Sequence, residues 1–155
     1  MGHTWNYCHI AMRINGDDDI RLFIQAHGSF SEWIINQIKL SDYGTTLEVT
    51  LMGNWTHDPT ITEVKSPRPT HISLIFRLVQ EFRVNNALNV AMLNNPESLN
   101  WGLNEISALR IVEENPRFWP KPYEHKRFSH VTFLWEGQRK IDVVFSTLDV
   151  VIQNE

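Results

Sequence analysis

The 155-residue chain lacks several features by which secreted and membrane proteins are recognised. Cys8 is the only cysteine, so no internal disulfide can form, which favours a reducing compartment. No apolar run approaches the ~20 residues that span a bilayer. The first 20 residues lack a basic region followed by a long apolar one, which argues against a secretory signal. We therefore predict a soluble, cytoplasmic protein that has no contact with a membrane.

Motifs of catalysis and metal binding are equally scarce. The seven histidines never fall in H-x-H, H-x₃-H or H-E-x-x-H spacing, and the isolated glycines form no phosphate-binding loop. Cys8 and His9 could suggest a thiol–imidazole catalytic pair, but adjacent residues of a strand point to opposite faces. Glu113 and Glu114 resemble an acid pair, although neighbouring glutamates before a proline are more typical of a solvated loop edge. We predict no catalytic residue, no metal and no cofactor.

Charge is distributed unevenly along the chain. The net charge is −4, and residues 1–60 carry the whole excess because the remaining residues balance. Within the balanced part, residues 97–114 are acidic and residues 117–140 are basic. Such asymmetry can steer a charged partner, but it is also typical of solvated faces without a partner.

One helix is predicted near the start of the chain. Asp17 or Asp18 can cap it, and Ile20, Phe23 and Ile24 recur at helical spacing. An acidic triplet at Asp17, Asp18 and Asp19 suits the positive end of the helix dipole. Because Gly28 is a suitable stop, the helix should span about ten residues.

Most of the remaining chain alternates with the period of two that is typical of strands. Residues 34–51 read as a hairpin, in which Ile34, Ile38 and Leu40 share one face while Trp33 and Ile35 share the other. Residues 131–152 read as three successive strands of an antiparallel meander. We predict a single α+β domain over residues 1–155, mostly an antiparallel sheet of six to eight strands with the short helix packed on it.

The segment "RFWPKPYEHKRFSH", residues 117–130, suggests an alternative function, the binding of single-stranded nucleic acid. Its cations are interleaved with aromatic side chains, a combination that binds phosphates and stacks bases in single-strand binders. The chain as a whole is acidic, with a pI near 6.0, which opposes this hypothesis. A protein-facing or core-covering loop is the other interpretation of the segment.

The order of these elements resembles a known family over residues 20–153. After the helix and hairpin come "HISLIFRLVQEFRV" as a strand pair, an Asn-rich link, and the ending "VTFLWEGQRKIDVVFSTLDVVI". The chain resembles the immunity protein 50 family, small bacterial proteins encoded beside polymorphic or contact-dependent growth inhibition toxins. Where family members commonly read Phe-His-Asp and a small residue, this chain reads Phe30-Ser31-Glu32-Trp33.

The resemblance implies a cytoplasmic antitoxin that is not an enzyme. It would bind and neutralise a cognate toxin C-terminal domain, and many such domains are basic nucleases, so an acidic partner would associate with one quickly. The toxin-binding residues that we predict are acidic side chains beside an aromatic anchor: Asp17, Asp18, Asp19, Glu113, Glu114 and Trp119. No nucleic acid is expected to bind directly.

Overall fold

In a computed structural model of the chain, residues 8–53, 70–95, 105–113, 128–135 and 139–154 are described. These ranges contain two α-helices, α1 (Asp17–Ala26) and α2 (Val90–Asn94). The strands are β1 (Cys8–Ile14), β2 (Ile34–Ser41), β3 (Thr46–Gly53), β4 (Thr70–Arg77), β5 (Glu81–Asn85), β6 (Ile106–Ile111), β7 (Ser129–Trp135), β8 (Lys140–Phe145) and β9 (Thr147–Asn154).

The nine described strands form two antiparallel sheets. The five-stranded sheet has the order β1-β9-β4-β3-β2, and the four-stranded sheet has the order β5-β8-β7-β6. The prediction of a mostly antiparallel α+β fold is confirmed. The strand count exceeds the six to eight predicted, and the strands divide between two sheets rather than lying in one.

At two bends, the chain passes directly from one sheet into the other. Only Ser146 separates β8 from β9, and β9 pairs with β1 and β4 instead of β8. The strands β4 and β5 also lie in different sheets. Backbone hydrogen bonds join the two bends, from Ser146 N–H to Arg77 C=O at 3.1 Å and from Gln80 N–H to Val144 C=O at 2.8 Å. The predicted three-stranded meander is therefore wrong beyond β8, as is the pairing of β4 with β5, because alternation in sequence does not specify which sheet a strand joins.

The core lies between the two sheets, with α1 beside it. Phe76 of β4 makes edge-to-face contacts with Phe133 and Phe145 of the other sheet, at ring-centroid distances of 6.2 and 4.7 Å. Helix α1 buries Ile20, Phe23 and Ile24 and packs against β6, as its spacing predicted. Burying a side chain of this size contributes roughly 1.5–3 kcal/mol, so the apolar stripe anchors the helix.

The hairpin of β2 and β3 is confirmed, but a bulge changes which residues of β2 face the core. The register runs from Ile35 opposite Leu51 to Gln37 opposite Thr50, so Asn36 is the extra residue. Ile38 then lies opposite Val49, on the same face as Ile35. Ile35 is buried, and the prediction that it faces away from Ile38 is wrong because the bulge shifts the period by one residue.

Candidate protein-binding surface

Helix α1 begins without the predicted side-chain cap. Gly16 occupies the N-cap position with φ +87°, a conformation that favours glycine, and no side chain caps the helix. Asp17 is the first helical residue, and its carboxylate accepts a 2.6 Å hydrogen bond from the Ser129 hydroxyl of β7. The prediction that Asp17 or Asp18 caps the helix is therefore wrong. The three aspartates still place negative charge at the positive end of the helix dipole.

Arg21 connects the acidic first turn of α1 to Glu113, which follows β6. One guanidinium nitrogen lies 3.1 Å from the Asp18 carboxylate and another lies 2.6 Å from the Glu113 carboxylate. Asp18 and Glu113 are 96% and 76% exposed, so each pair contributes little to stability. The fold thus brings together predicted site residues that lie far apart in the sequence.

We call the group formed by Asp17, Asp18, Asp19, Arg21, Leu22 and Glu113 the acidic surface. It contains four carboxylates and one guanidinium, so its net charge is −3 at neutral pH. All four acidic residues are exposed. A concentration of like charge of this size attracts a basic partner from solution, and salt screens the attraction.

Leu22 is an apolar residue within the acidic surface that our sequence analysis missed. It lies three residues after Asp19 and four after Asp18, so all three share one face of α1. Its side chain is 64% exposed. The sequence does contain a signal for this exposure. Helical periodicity places Leu22 outside the apolar stripe formed by Ile20, Phe23 and Ile24, and therefore predicts an exposed leucine. An exposed leucine that shares a helical face with two carboxylates has the arrangement of an interface anchor with a polar rim.

The other predicted binding residues, Glu114 and Trp119, lie outside the described residues. Most of the basic-aromatic segment at 117–130 lies outside them too. Three residues at its end are described, and two of them, Ser129 and His130, make the following contacts within the fold. The Ser129 hydroxyl donates to Asp17, and His130 Nε2 lies 2.9 Å from the Asp142 carboxylate. Both side chains are therefore engaged within the fold.

The described part of the chain contains neither a cluster of metal-ligand side chains nor a membrane-spanning helix. Its histidine, cysteine and acidic side chains nowhere form a group of three or more that could hold a metal ion. No helix among the described residues is long and apolar enough to cross a membrane. Glu113, one half of the acid pair considered from the sequence, is engaged by Arg21.

A second ion cluster lies on the outer face of the five-stranded sheet. Asp149 of β9 accepts hydrogen bonds from Arg13 at 2.8 and 3.2 Å and from Arg77 at 2.5 Å. The hydrogen bond from Arg13, followed by that from Arg77, lowers the pKa of Asp149 to about 2 against an opposing effect of burial. The same hydrogen bond raises the pKa of Arg13. We call this group the basic cluster, because two cations share one carboxylate.

Comparisons with known proteins add little to these observations. No protein-family model matches the chain, and no curated protein matches it in sequence. The crystal structure of an uncharacterized protein from Neisseria gonorrhoeae is similar over 91% of this chain and 96% of that chain. The sequence identity is 13% and the TM-score is 0.45.

Proposed function

We propose that this chain is a bacterial immunity protein, which binds and neutralises a cognate toxin domain by direct contact. The partner is a basic domain, and a nuclease is the class that best fits an acidic inhibitor. The observation that carries the proposal is the acidic surface, where four exposed carboxylates lie on or beside the helix that exposes Leu22. The protein acts by binding alone, in the cytoplasm.

Electrostatics supports a partner of this charge. Nucleases bind phosphate backbones through clustered lysine and arginine side chains, so their substrate-binding surfaces are strongly positive. A surface of net charge −3 accelerates encounter with such a site and competes there with the nucleic-acid substrate. Binding at this location would block the nuclease without any chemical step by the inhibitor.

Packing supports an interface rather than a solvated face. Charges at a rim mainly raise the association rate, whereas affinity depends on a few desolvated side chains near the centre. Leu22 supplies such a side chain on the same helical face as Asp18 and Asp19.

Co-expression with the protein domain encoded by the adjacent reading frame tests the proposal. We expect the chain to rescue growth of cells that express this domain, and we expect the two proteins to co-purify. The double substitution Asp18→Lys and Asp19→Lys should abolish both effects. Absence of rescue together with absence of a complex for the unmodified chain would show that the protein is not an immunity protein for that neighbour.

A matched control separates the acidic surface from total charge. Glu48→Lys changes the net charge by the same amount as Asp18→Lys alone, and Glu48 lies on β3 opposite Lys39 of β2, on the outer face of the five-stranded sheet. The two single variants are therefore compared with each other. The Glu48→Lys variant should retain rescue and co-purification. Equal loss with Glu48→Lys would mean that net charge, and not the acidic surface, governs binding.

A further inference from the structure

Three large apolar side chains are exposed together at one end of the five-stranded sheet. Leu78 is 60% exposed, Leu40 is half exposed and Tyr43 is fully exposed. A backbone hydrogen bond of 2.8 Å from Val79 N–H to Thr45 C=O joins the segments that carry Leu78 and Tyr43. We call Leu40, Tyr43 and Leu78 the apical surface.

Backbone strain accompanies two members of the apical surface. Tyr43 has φ +58° and Leu78 has φ +50°, values in the left-handed region that residues other than glycine, asparagine and aspartate rarely adopt. Asparagine or glycine would adopt either conformation at lower cost. The fold therefore holds a leucine and a tyrosine in water at positions where both their exposure and their backbone are unfavourable. Such outliers are concentrated at binding sites.

The apical surface and the acidic surface flank the same end of the five-stranded sheet. One register row crosses this end from Ile14 of β1 through Leu148, Phe76 and Leu47 to Leu40 of β2. Helix α1 begins three residues after Ile14, and the turn containing Tyr43 begins two residues after Leu40. Four strand spacings separate the two ends of the row, or ~19 Å. A standard protein interface is roughly 30 Å across, so one partner can cover both surfaces.

We propose that the apical surface is a second apolar anchor, in addition to Leu22, for the same basic protein that the acidic surface attracts, an inference that rests on the proposed function. Outside the acidic surface, charges at this end of the sheet nearly balance, with Lys39, beside Leu40, lying opposite Glu48, so the acidic surface supplies the attraction for a basic partner. Asp42 adds an exposed carboxylate beside Tyr43, and Arg77, next to Leu78, is ion-paired with Asp149. The acidic surface accelerates encounter, and burial of Leu78 and Tyr43 slows dissociation.

The double variant Leu78→Asn and Tyr43→Asn tests this assignment. Asparagine removes the apolar side chain and tolerates the left-handed backbone, so the melting temperature should stay the same or rise. We expect dissociation from an inactivated form of the neighbouring toxin domain to accelerate about tenfold or more, with little change in association rate. Stability and affinity should therefore change in opposite directions, a result that a purely structural role would not give.

Ala87→Asn is the matched control for relief of strain. Ala87 is exposed with φ +41° outside the apical surface, so asparagine there should leave the dissociation rate unchanged. If the double variant binds as tightly as the unmodified chain while the complex still forms, the apical assignment is wrong and the immunity function stands. If the unmodified chain forms no complex, both proposals fail. A concentration-dependent dimer that the double variant abolishes, measured by analytical ultracentrifugation, would overturn the assignment in favour of self-association.

Discussion

The acidic surface and the basic cluster are ion groups of opposite composition. In the basic cluster, two arginines share Asp149, whose side chain is only 17% exposed. In the acidic surface, Asp18 and Glu113 share Arg21, and both carboxylates are largely exposed. The first group joins β1, β4 and β9 through hydrogen bonds to a mostly buried carboxylate. The second leaves most of its charge in solvent, so it is suited to long-range attraction rather than to stability.

The largest expected effect belongs to the centre of the acidic surface. Leu22→Ala should weaken the complex with the toxin domain by about 2 kcal/mol, because the leucine would be desolvated at the centre of the interface. The free energy of unfolding should change little, since Leu22 is exposed in the free protein. Titration calorimetry of the complex and chemical denaturation of the free protein measure the two quantities. A loss of stability without a loss of affinity would reverse the roles assigned here.

Asp149→Asn breaks the basic cluster. We expect it to lower the free energy of unfolding by on the order of 1 kcal/mol at neutral pH, a value reduced by the exposure of both arginines. Affinity for the toxin domain should be unaffected. Urea denaturation of the two proteins gives the difference. Stability equal to that of the unmodified chain would show that the ion pairs contribute nothing measurable.

Acid should remove the difference between Asp149→Asn and the unmodified chain. The pKa of Asp149 is lowered to about 2 by the arginines, so its contribution to stability is complete above about pH 4 and disappears as the pH falls towards 2. The gap in unfolding free energy should therefore be constant near neutral pH and close in that acidic window. Denaturation series at several pH values test this, and a gap that persists below pH 2 would contradict the ionic origin.

Asp18→Asn changes a carboxylate that is almost fully solvated. Its effect on stability should stay within about 0.5 kcal/mol, because exposed ion pairs contribute little. Association with the toxin domain should slow by about two- to threefold at low ionic strength, and the difference should shrink at high salt. Stopped-flow measurements across a salt series give the rates. An effect that is independent of salt would exclude steering.

Arg21→Gln should change the association rate in the direction opposite to Asp18→Asn. Removing this cation makes the acidic surface more negative, so association with a basic partner should accelerate by roughly twofold or less at low salt. Stability should fall by no more than a few tenths of a kcal/mol. The same stopped-flow series serves for this variant. A slower association would mean that Arg21 contacts the partner directly or that the partner is not basic.

The sequence by itself determined the elements whose signals are local. The span of α1 follows from Ile20, Phe23 and Ile24 at helical spacing, and β3 follows from the alternation of Leu47, Val49 and Leu51. These patterns are readable because the residues that specify them lie within one or two turns or pleats of each other. The strands β7 and β8 were predictable for the same reason, from the alternation of their apolar residues.

Only the tertiary structure decided which distant residues meet. The bulge at Asn36 places Ile35 and Ile38 on one face, and the bend at Ser146 sends β9 into the other sheet. Asp17 accepts a hydrogen bond from Ser129 instead of capping the helix. Glu113 forms an ion pair with Arg21 of α1, 92 residues away in the sequence. Strand pairing and chain bends decide which of these residues meet. The physical reason is that the energy of pairing depends on contacts between segments far apart in the sequence, which no local pattern contains.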